Sequence, residues 1–338
     1  MNYSEVLENA RTCIGKYCKA CPECDGRACK NQIPGPGAKG VGDTAIRNYN
    51  AWKEIRIQMD TISENKKPDT SLELFGKKFK YPFFAGPVGA VNLHYGEKYD
   101  DVSYNDILVS ACADAGIAAF TGDGTNPEVM KAATGAIKKA AGCGVPTVKP
   151  WNMEIVSEKL QLVKDAGAFA VAMDIDAAGL PFLKNMTPPA GSKTVEELAE
   201  IIRAAGVPFI VKGVMTVKGA LKAKEAGAAA IVVSNHGGRV LDQCPAMAEV
   251  LKDIANAVGH SMKILVDGGI RSGADVLKAI AMGADGVLIC RPFVTALYGG
   301  EACGVQTYVD KIGGELEDAM AMCGVGSLDE ITEECLFM

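Results

Sequence analysis

The segment Ser234-Asn-His-Gly-Gly-Arg239 brings a potential base and a potential anion ligand within three residues of each other. It follows an apolar run, and His236 is one of only 3 histidines in the 338-residue chain. An imidazole takes up protons near neutral pH, and a guanidinium clamps a carboxylate with two hydrogen bonds. Two glycines permit a tight turn and the close approach of a ligand. The segment predicts a catalytic site, the alternative being a histidine that merely makes core hydrogen bonds.

A second group of reactive residues lies in CIGKYCKACPECDGRAC, near the N-terminus. Its core spacing, C-x-x-C-x-x-C, begins an iron–sulfur ligand pattern, although the usual fourth cysteine followed by proline is absent. Structural zinc also uses four thiolates, usually as two more widely separated pairs. Disulfides or free thiols are the further alternative. The expected ligands are Cys18, Cys21, Cys24 and Cys29, with Cys13 as a substitute for one of them.

The elements that must position these residues follow one repeating pattern from Tyr81 onward. Each unit has a short apolar run, a polar or glycine-rich turn, and an amphipathic stretch with apolar residues at helical spacing. Eight such units predict a (β/α)8 TIM barrel, an α/β fold, behind the cysteine-rich N-terminal extension. An open doubly wound sheet is the alternative, but no strand is followed by G-x-G-x-x-G. The predicted strands span 81–89, 118–123, 145–151, 169–176, 208–214, 229–235, 263–269 and 285–292.

Ionisable residues concentrate at the carboxyl ends of these strands, where barrel enzymes carry their active sites. Lys212 lies inside the run PFIVKGV, and Arg291 directly follows VLIC. Burying either cation is costly without an anionic partner. The pattern therefore predicts a site for an anionic ligand at this end of the barrel.

Two motifs carry a family resemblance. SNHGGR at 234–239 and VDGGIRSGADVLKAIAMGADGVLICRPF at 266–293 resemble the active-site and phosphate-binding segments of the FMN-dependent α-hydroxy acid oxidases and dehydrogenases, which include glycolate oxidase and lactate oxidase. NAWKEIRIQMD and YPFFAGPVGA are similar to the entry segment and first strand of that family. The resemblance runs from about Asn48, which divides the chain into a cysteine-rich segment, 1–47, and an FMN-binding barrel, 48–338.

The resemblance implies oxidation of an L-2-hydroxy acid to a 2-oxo acid, with FMN as cofactor. His236 would be the base and Arg239 the carboxylate ligand, both touching substrate. Asp176 would stabilise the protonated His236, with Asp174 as its competitor on the same strand face. Lys212 would stabilise negative charge on the reduced flavin. Further implied cofactor contacts are Gly86, Pro87, Val88, Thr121, Lys149, Lys212, Ser234, Asp267, Gly268, Gly269, Arg271, Cys290 and Arg291.

Several expected substrate residues depart from this family. The two substrate-binding tyrosines are not evident, because their segments read KNQIPGPGAKG and TVKPWNM, and the second offers Trp151 as a substrate contact instead. The second arginine of the family is missing from AAGLPFLKNM. Lys184, or the loop 177–193, could hold part of a modified substrate. At Lys149 the family usually has glutamine.

Other functions stay open at this point. A non-redox barrel enzyme could use Lys212 as an aldolase does, or catalyse a flavin-dependent isomerisation, and a flavin-binding protein without turnover is a third possibility. Electrons could pass to oxygen or to a carrier, and an N-terminal [4Fe–4S] cluster would favour a dehydrogenase that feeds a carrier. Family members often form tetramers, so a homo-oligomer is expected.

Composition excludes several partners. The net charge of −6 and the absence of a Lys/Arg cluster argue against binding to nucleic acid or an anionic membrane. No run approaches the roughly 20 apolar residues of a membrane span, and the N-terminus lacks the pattern of a secretory signal. We therefore expect a cytoplasmic protein that acts on a small molecule, with its 12 cysteines reduced.

Overall fold

The computed structural model describes residues 1–180, 183, 185 and 190–337. Its centre is a sheet of eight parallel strands, each inside one of the segments predicted from the sequence. The predicted barrel is therefore confirmed. The barrel strands are β1 Phe83–Ala85, β2 Phe120–Thr121, β3 Val145–Val148, β4 Val171–Asp174, β5 Phe209–Val214, β6 Ala230–Val233, β7 Lys263–Val266 and β8 Gly286–Ile289.

The sheet closes on itself. β8 pairs with β1, and a parallel bridge between Ala85 and Ala119 joins β1 to the residue before β2. The strands are almost wholly buried, because helices cover their outer face and side chains fill the barrel, which explains their continuous apolar runs. Asp174 lies opposite Lys212 in the β4–β5 register, so the fold itself brings these two opposite charges side by side.

Helices surround the barrel, and several of them start at side-chain caps. Asn152 accepts a hydrogen bond from the backbone N–H of Ile155, and Thr194 and Glu197 form a reciprocal capping box. The helices are α1 Tyr3–Cys13, α2 Asp43–Glu54, α3 Val91–Tyr95, α4 Asp101–Asp114, α5 Pro127–Lys139, α6 Met153–Asp165, α7 Val195–Ala205, α8 Val217–Glu225, α9 Met247–Val258, α10 Gly273–Ala281 and α11 Arg291–Met322, the last kinked at Glu301.

The N-terminal helices hold the rest of the chain against the barrel. α1 packs on α11, with the rings of Tyr3 and Tyr308 5.1 Å apart. α2 reaches the loop after β7, where the indole N–H of Trp52 donates to the carbonyl of Gly268 at 2.9 Å. Between these helices the structure describes every residue of 14–42 and finds neither α-helix nor β-strand there. The division of the chain at residue 47 stays a prediction.

Two small antiparallel pairs complete the described structure. Arg56–Ile57 pairs with Leu336–Phe337, and Leu72–Leu74 pairs with Lys77–Phe79. The ring of Phe79 meets that of Phe84 edge-on in the core, which fixes the second pair to the barrel. Among the described helices, none is both long enough and apolar enough to span a bilayer.

Candidate active site

A cavity of about 260 Å³ opens at the carboxyl ends of the strands. It brings together most of the residues that the sequence predicted for cofactor and substrate. The predicted residues that line it are Pro87, Val88, Lys149, Lys212, His236, Arg239, Asp267, Gly268, Arg271, Cys290 and Arg291. Its walls also include Pro36 and His94, which the sequence analysis did not select.

A buried charge network forms the floor of this cavity. Lys149 Nζ lies 2.6 Å from Asp174 Oδ2, and Lys212 Nζ lies 3.4 Å from Asp174 Oδ1 and 3.5 Å from Asp267 Oδ2. Burial alone would raise the pKa of Asp174, but the neighbouring side chains of Lys149, His236 and Lys212 hold it well below its ordinary value. Burial likewise opposes the charge on Lys212, yet the carboxylates of Asp174 and Asp267 raise its pKa. Lys212 is therefore a fixed cation.

Ser234 orients this cation. Its hydroxyl donates to Asp267 Oδ2 at 2.8 Å and accepts from Lys212 Nζ and from the backbone N–H of His236, both at 3.1 Å. Ser234 is fully buried and is not among the cavity-lining residues. The pKa of Asp267 is raised, chiefly by burial, although Lys212 acts to lower it. Asp267 Oδ1 has no hydrogen-bond partner within the described structure, so one acceptor is available to a ligand.

The imidazole of His236 is held by Asp176. Its Nδ1 lies 3.1 Å from Asp176 Oδ1 and 3.5 Å from Asp174 Oδ1. Asp174 is already shared by two lysines, and Asp176 is the carboxylate nearer to the ring nitrogen. Its role toward His236 stays a prediction. With Nδ1 turned to Asp176, Nε2 is left for a substrate. One donor atom each from Asp174, Asp176 and His236 lie within 4.8 Å of one another, which is close enough for a metal ion. Lys149 and Lys212 already supply positive charge at this place.

Two glycines make this arrangement sterically possible. Gly213 has φ +102 at a bulge in β5, and a Cβ there would lie 2.5 Å from Asp176 Cγ. Gly238 has φ +78, and a Cβ there would lie 2.7 Å from the Cβ of Ala38. His236 itself has φ +56, which a non-glycine residue seldom adopts. Neighbouring side chains therefore determine the conformation of the histidine loop.

Arg239 and His94 touch each other in the wall of the cavity. One guanidinium nitrogen, Nη1, donates to the carbonyls of Gly35 at 2.6 Å and Gly37 at 3.0 Å, and Nη2 lies 3.1 Å from His94 Nε2. In residues 1–180, 183, 185 and 190–337, no carboxylate forms an ion pair with Arg239. Burial, followed by the charge of Arg239, lowers the pKa of His94 to about 4, so its ring is neutral.

The His94 ring has its tautomer fixed from the opposite side. Its Nδ1 accepts the backbone N–H of Gly35 at 2.9 Å, so the proton of the neutral ring belongs on Nε2. The Nε2–H and the Arg239 Nη2–H then point at each other. An oxygen does not fit between nitrogens 3.1 Å apart, so an anionic oxygen can accept from both only from the cavity side, after the two N–H groups turn away from each other.

The far end of the cavity suits a phosphate. Gly268, Arg271 and Arg291 line it, next to the last two strands. Arg291 is partly buried, and its fully buried Nη1 has no hydrogen-bond partner in the part of the chain that the structure describes. Arg271 Nε is engaged by the carbonyl of Cys24 at 2.7 Å. A buried guanidinium nitrogen without an acceptor fits the phosphate of a flavin nucleotide.

Several predicted contacts lie behind the cavity wall. Trp151 is only 2% exposed, its indole N–H donates to Asp123 Oδ2 at 2.7 Å, and Lys159 Nζ pairs with the same carboxylate. This corrects the predicted substrate contact by Trp151, because its polar atom is already bonded and its ring is covered. The predicted contacts Gly86, Thr121 and Gly269 are also absent from the lining. Lys184 lies outside the described residues.

The cysteines gather around a second, smaller cavity of about 30 Å³. All four expected ligands, Cys18, Cys21, Cys24 and Cys29, line it, together with Arg291 and Pro36, which also line the large cavity. Cys13 does not line it, and the Cys13 thiol lies 3.2 Å from the carbonyl of Tyr298 instead. The structure therefore separates Cys13 from the other four.

His94 and Gly213 are two site residues that sequence reasoning missed. His94 offered a signal, because it is one of 3 histidines and follows β1 at the active end of the barrel. Gly213 offered none, since its role depends on the place of Asp176 on a neighbouring strand.

Comparisons with known proteins agree with this geometry. The family model described as FMN-dependent dehydrogenase matches residues 36–186 and 182–338. The chain is 30% identical over 341 residues to a 4-hydroxymandelate oxidase of Amycolatopsis orientalis, covering 89% of this chain and 94% of that protein. A peroxisomal (S)-2-hydroxyacid oxidase of Arabidopsis thaliana is 29% identical, with 86% of each chain covered.

A solved structure is similar over the whole chain. The lactate oxidase of Pediococcus acidilactici superposes with a TM-score of 0.80 at 27% identity, covering 100% of this chain and 94% of that one. The similarity therefore extends over the whole barrel. On these grounds the chain belongs to the family of FMN-dependent dehydrogenases.

Proposed function

We propose that this protein oxidises an L-2-hydroxy acid to the corresponding 2-oxo acid. The relatives carry names of oxidases that act on 4-hydroxymandelate, (S)-2-hydroxy acids and L-lactate. The observation that carries the proposal is the presence in one cavity of an oriented base and a cation that pairs with no carboxylate among the described residues. His236 is oriented by Asp176 at 3.1 Å, and Arg239 lines the same cavity without a carboxylate partner among the described residues.

FMN, when bound, supplies the acceptor for the two electrons released from C2 of the substrate. Arg291, Arg271 and the backbone at Gly268 would hold its phosphate. Lys212 would present a fixed positive charge to the ring system, since two buried carboxylates keep its pKa raised. The free oxygen of Asp267 and the walls at Pro87 and Val88 complete the cofactor-binding set.

His236 acts as the base at Nε2. It takes the proton of the substrate hydroxyl if the C2 hydrogen leaves as hydride, and it takes the C2 proton itself in a carbanion route. Asp176 stabilises the resulting imidazolium at Nδ1 in both cases. The residues involved are the same, so the role of His236 does not depend on which route operates.

The substrate carboxylate binds on the cavity side of Arg239 and His94, which both line the cavity. Its oxygens would accept from the guanidinium and from Nε2–H of the neutral His94, which resolves the donor–donor contact between the two side chains. His94 thus supplies a polar substrate contact in a chain whose two expected tyrosine segments contain no tyrosine, and Tyr95 lines the same cavity beside it. The neutral ring adds a directed donor without a second positive charge.

An aldolase role for Lys212 is disfavoured by its surroundings. A Schiff-base lysine must lose its proton to attack a carbonyl. Lys212 Nζ lies within 3.5 Å of Asp174 and Asp267, which raise its pKa. The lysine is therefore held in the charged, non-nucleophilic form.

The direct test replaces His236 by Gln and mixes the protein without oxygen with a panel of L- and D-2-hydroxy acids. We expect the wild type to bleach its flavin absorbance with L-substrates, and H236Q to retain flavin but bleach at least about 100-fold more slowly. The matched control is H260Q, because His260 is an exposed residue beyond α9. Bleaching of H236Q at the wild-type rate would refute the assignment of His236 as the base.

A further inference from the structure

The four cysteines that line the small cavity form a site that the proposed oxidation does not use. Cys18, Cys21, Cys24 and Cys29 come from one segment of twelve residues and converge on the same space. None of them forms a disulfide. We propose that these four thiols bind a [4Fe–4S] cluster beside the phosphate end of the active-site cavity.

The spacing of the thiols favours a cluster over a single metal ion. Four thiolates on one zinc, at a Zn–S distance of about 2.3 Å, lie about 3.8 Å apart. In the described part of the chain, only Asp174, Asp176 and His236 form a set of at least three donors within 4.8 Å of one another. The cysteines surround a common cavity but stand further apart than one ion requires. A [4Fe–4S] cube places each thiolate on a different iron and so needs the wider set.

The backbone of the segment supports the same conclusion. Residues 14–42 contain no α-helix or β-strand, yet they hold a buried Cys29 and left-handed turns at Ala20, φ +41, and Gly26, φ +88. A stretch of this length without regular structure is unusual in a compact protein unless it serves a function. A bound metal centre stabilises such a segment by replacing the missing hydrogen-bonded structure with metal–ligand bonds.

The charge around the cavity is suitable for an anionic cluster. Four thiolates outweigh the positive charge of the iron–sulfide core, so the bound group is an anion. Arg291 lines both cavities, and Arg271 binds the carbonyl of Cys24 at 2.7 Å. The two arginines therefore place positive charge between the cluster site and the proposed phosphate site. Exposed residues such as Lys19 and Pro22 leave the outer edge of the segment accessible to another protein.

A cluster in this position would supply a one-electron exit, an inference that rests on the proposed oxidation. Conversion of one 2-hydroxy acid to a 2-oxo acid releases two electrons and two protons. The cluster takes one electron at a time, so each substrate requires two successive transfers to an external one-electron carrier protein. The binding of iron and sulfide can be tested without any substrate.

The test is to purify the protein without oxygen and to measure iron, acid-labile sulfide, zinc and flavin per chain. We expect about four iron and four sulfide, broad visible absorbance apart from the flavin bands, and an electron paramagnetic resonance signal after reduction with dithionite. C21S and C24S should lose the iron, the sulfide and the signal. C13S is the matched control and should keep all three, because Cys13 lies in the same region but outside the cavity.

The other outcomes are distinct. Zinc without sulfide, or chains with neither metal nor sulfide after reconstitution with ferrous iron and sulfide, would overturn the cluster. Loss of iron in C13S equal to that in C21S would overturn the ligand set. Flavin content checks that each variant has folded. Iron and sulfide in a protein that no hydroxy acid reduces would reject the proposed function and leave the cluster standing.

Discussion

The floor of the active-site cavity and the cysteine segment are built in opposite ways. On the floor, strands fix the backbone, and each charge meets a protein partner: Asp174 meets Lys149 and Lys212, and Asp176 meets His236. In the segment, regular structure is absent and the thiols face a shared space. The first site is assembled by its own side chains before any ligand arrives. The cysteine site would be completed only by the proposed cluster. Substitutions and metal removal should therefore affect the two regions differently.

The largest effect should follow from breaking the charge network. K212M leaves Asp174 and Asp267 with one cation fewer in a buried site, which costs about 3–5 kcal/mol of unfolding free energy. Loss of the fixed charge should slow flavin reduction by at least about 100-fold. Urea unfolding and rapid-mixing absorbance measure the two effects. K218M, at an exposed lysine on α8, should change neither, and an equal effect in both variants would contradict the network.

Steric disturbance of the same network should be smaller. G213A places a methyl group 2.5 Å from Asp176 Cγ at a residue with φ +102, for an expected loss of about 1–3 kcal/mol. Displacement of Asp176 should reorient His236 and lower turnover by up to about 100-fold. The control is G135A, where the new methyl meets nothing within 4 Å inside α5, and about 1 kcal/mol of stabilisation is expected. Full activity in G213A would show that His236 does not need Asp176.

Stability should depend on pH through His94, which contacts Gly35 between the active-site cavity and the cysteines. His94 has a pKa lowered to about 4 in the folded state, against about 6.5 when unfolded, so the unfolded chain binds more protons between these values. Its contribution to stability is present above pH 6.5 and is lost as the pH falls toward 4. Allowing for partial exposure of the ring, we expect this contribution to the unfolding free energy to be about 2 kcal/mol. The free energy of unfolding, measured with urea between pH 4 and 6.5, should change less steeply with pH in H94Q than in the wild type. Equal slopes in the two proteins would argue against a buried neutral ring.

The smallest effect on the barrel should come from the cysteine segment. Removing iron by chelation should increase tryptic cleavage at the exposed Lys16, Lys19, Arg27 and Lys30 by about tenfold or more, since the segment then opens locally. The barrel should keep its melting temperature within about 4 °C. Peptide mapping and thermal unfolding of the same sample measure both. Cleavage spread evenly over the chain would mean that the two regions are not independent in stability.

The barrel could be predicted from the sequence because strands buried on both faces appear as separate apolar runs. The histidine loop could be recognised because its residues are adjacent in the chain. Contacts between residues far apart in the chain could not be predicted from the sequence. The sequence offers Trp151 to the substrate because it lies in the segment where the family carries its second tyrosine, but Asp123 and Lys159 enclose it. The spacing alone could not decide whether Cys13 joins the other cysteines, since that depends on its contact with Tyr298.

The carbonyls of Gly35 and Gly37 occupy Arg239 before any substrate does. Both glycines follow Cys29, the last of the four cysteines, within the N-terminal segment 1–47. An arriving carboxylate must compete with their carbonyls for the same guanidinium. The affinity for substrate then depends on the difference in free energy between Arg239 bound to the carboxylate and Arg239 bound to these carbonyls. A substitution that loosens residues 35–37 would therefore tighten substrate binding without contacting the substrate. Selectivity among hydroxy acids depends in part on how firmly this short stretch of backbone stays closed.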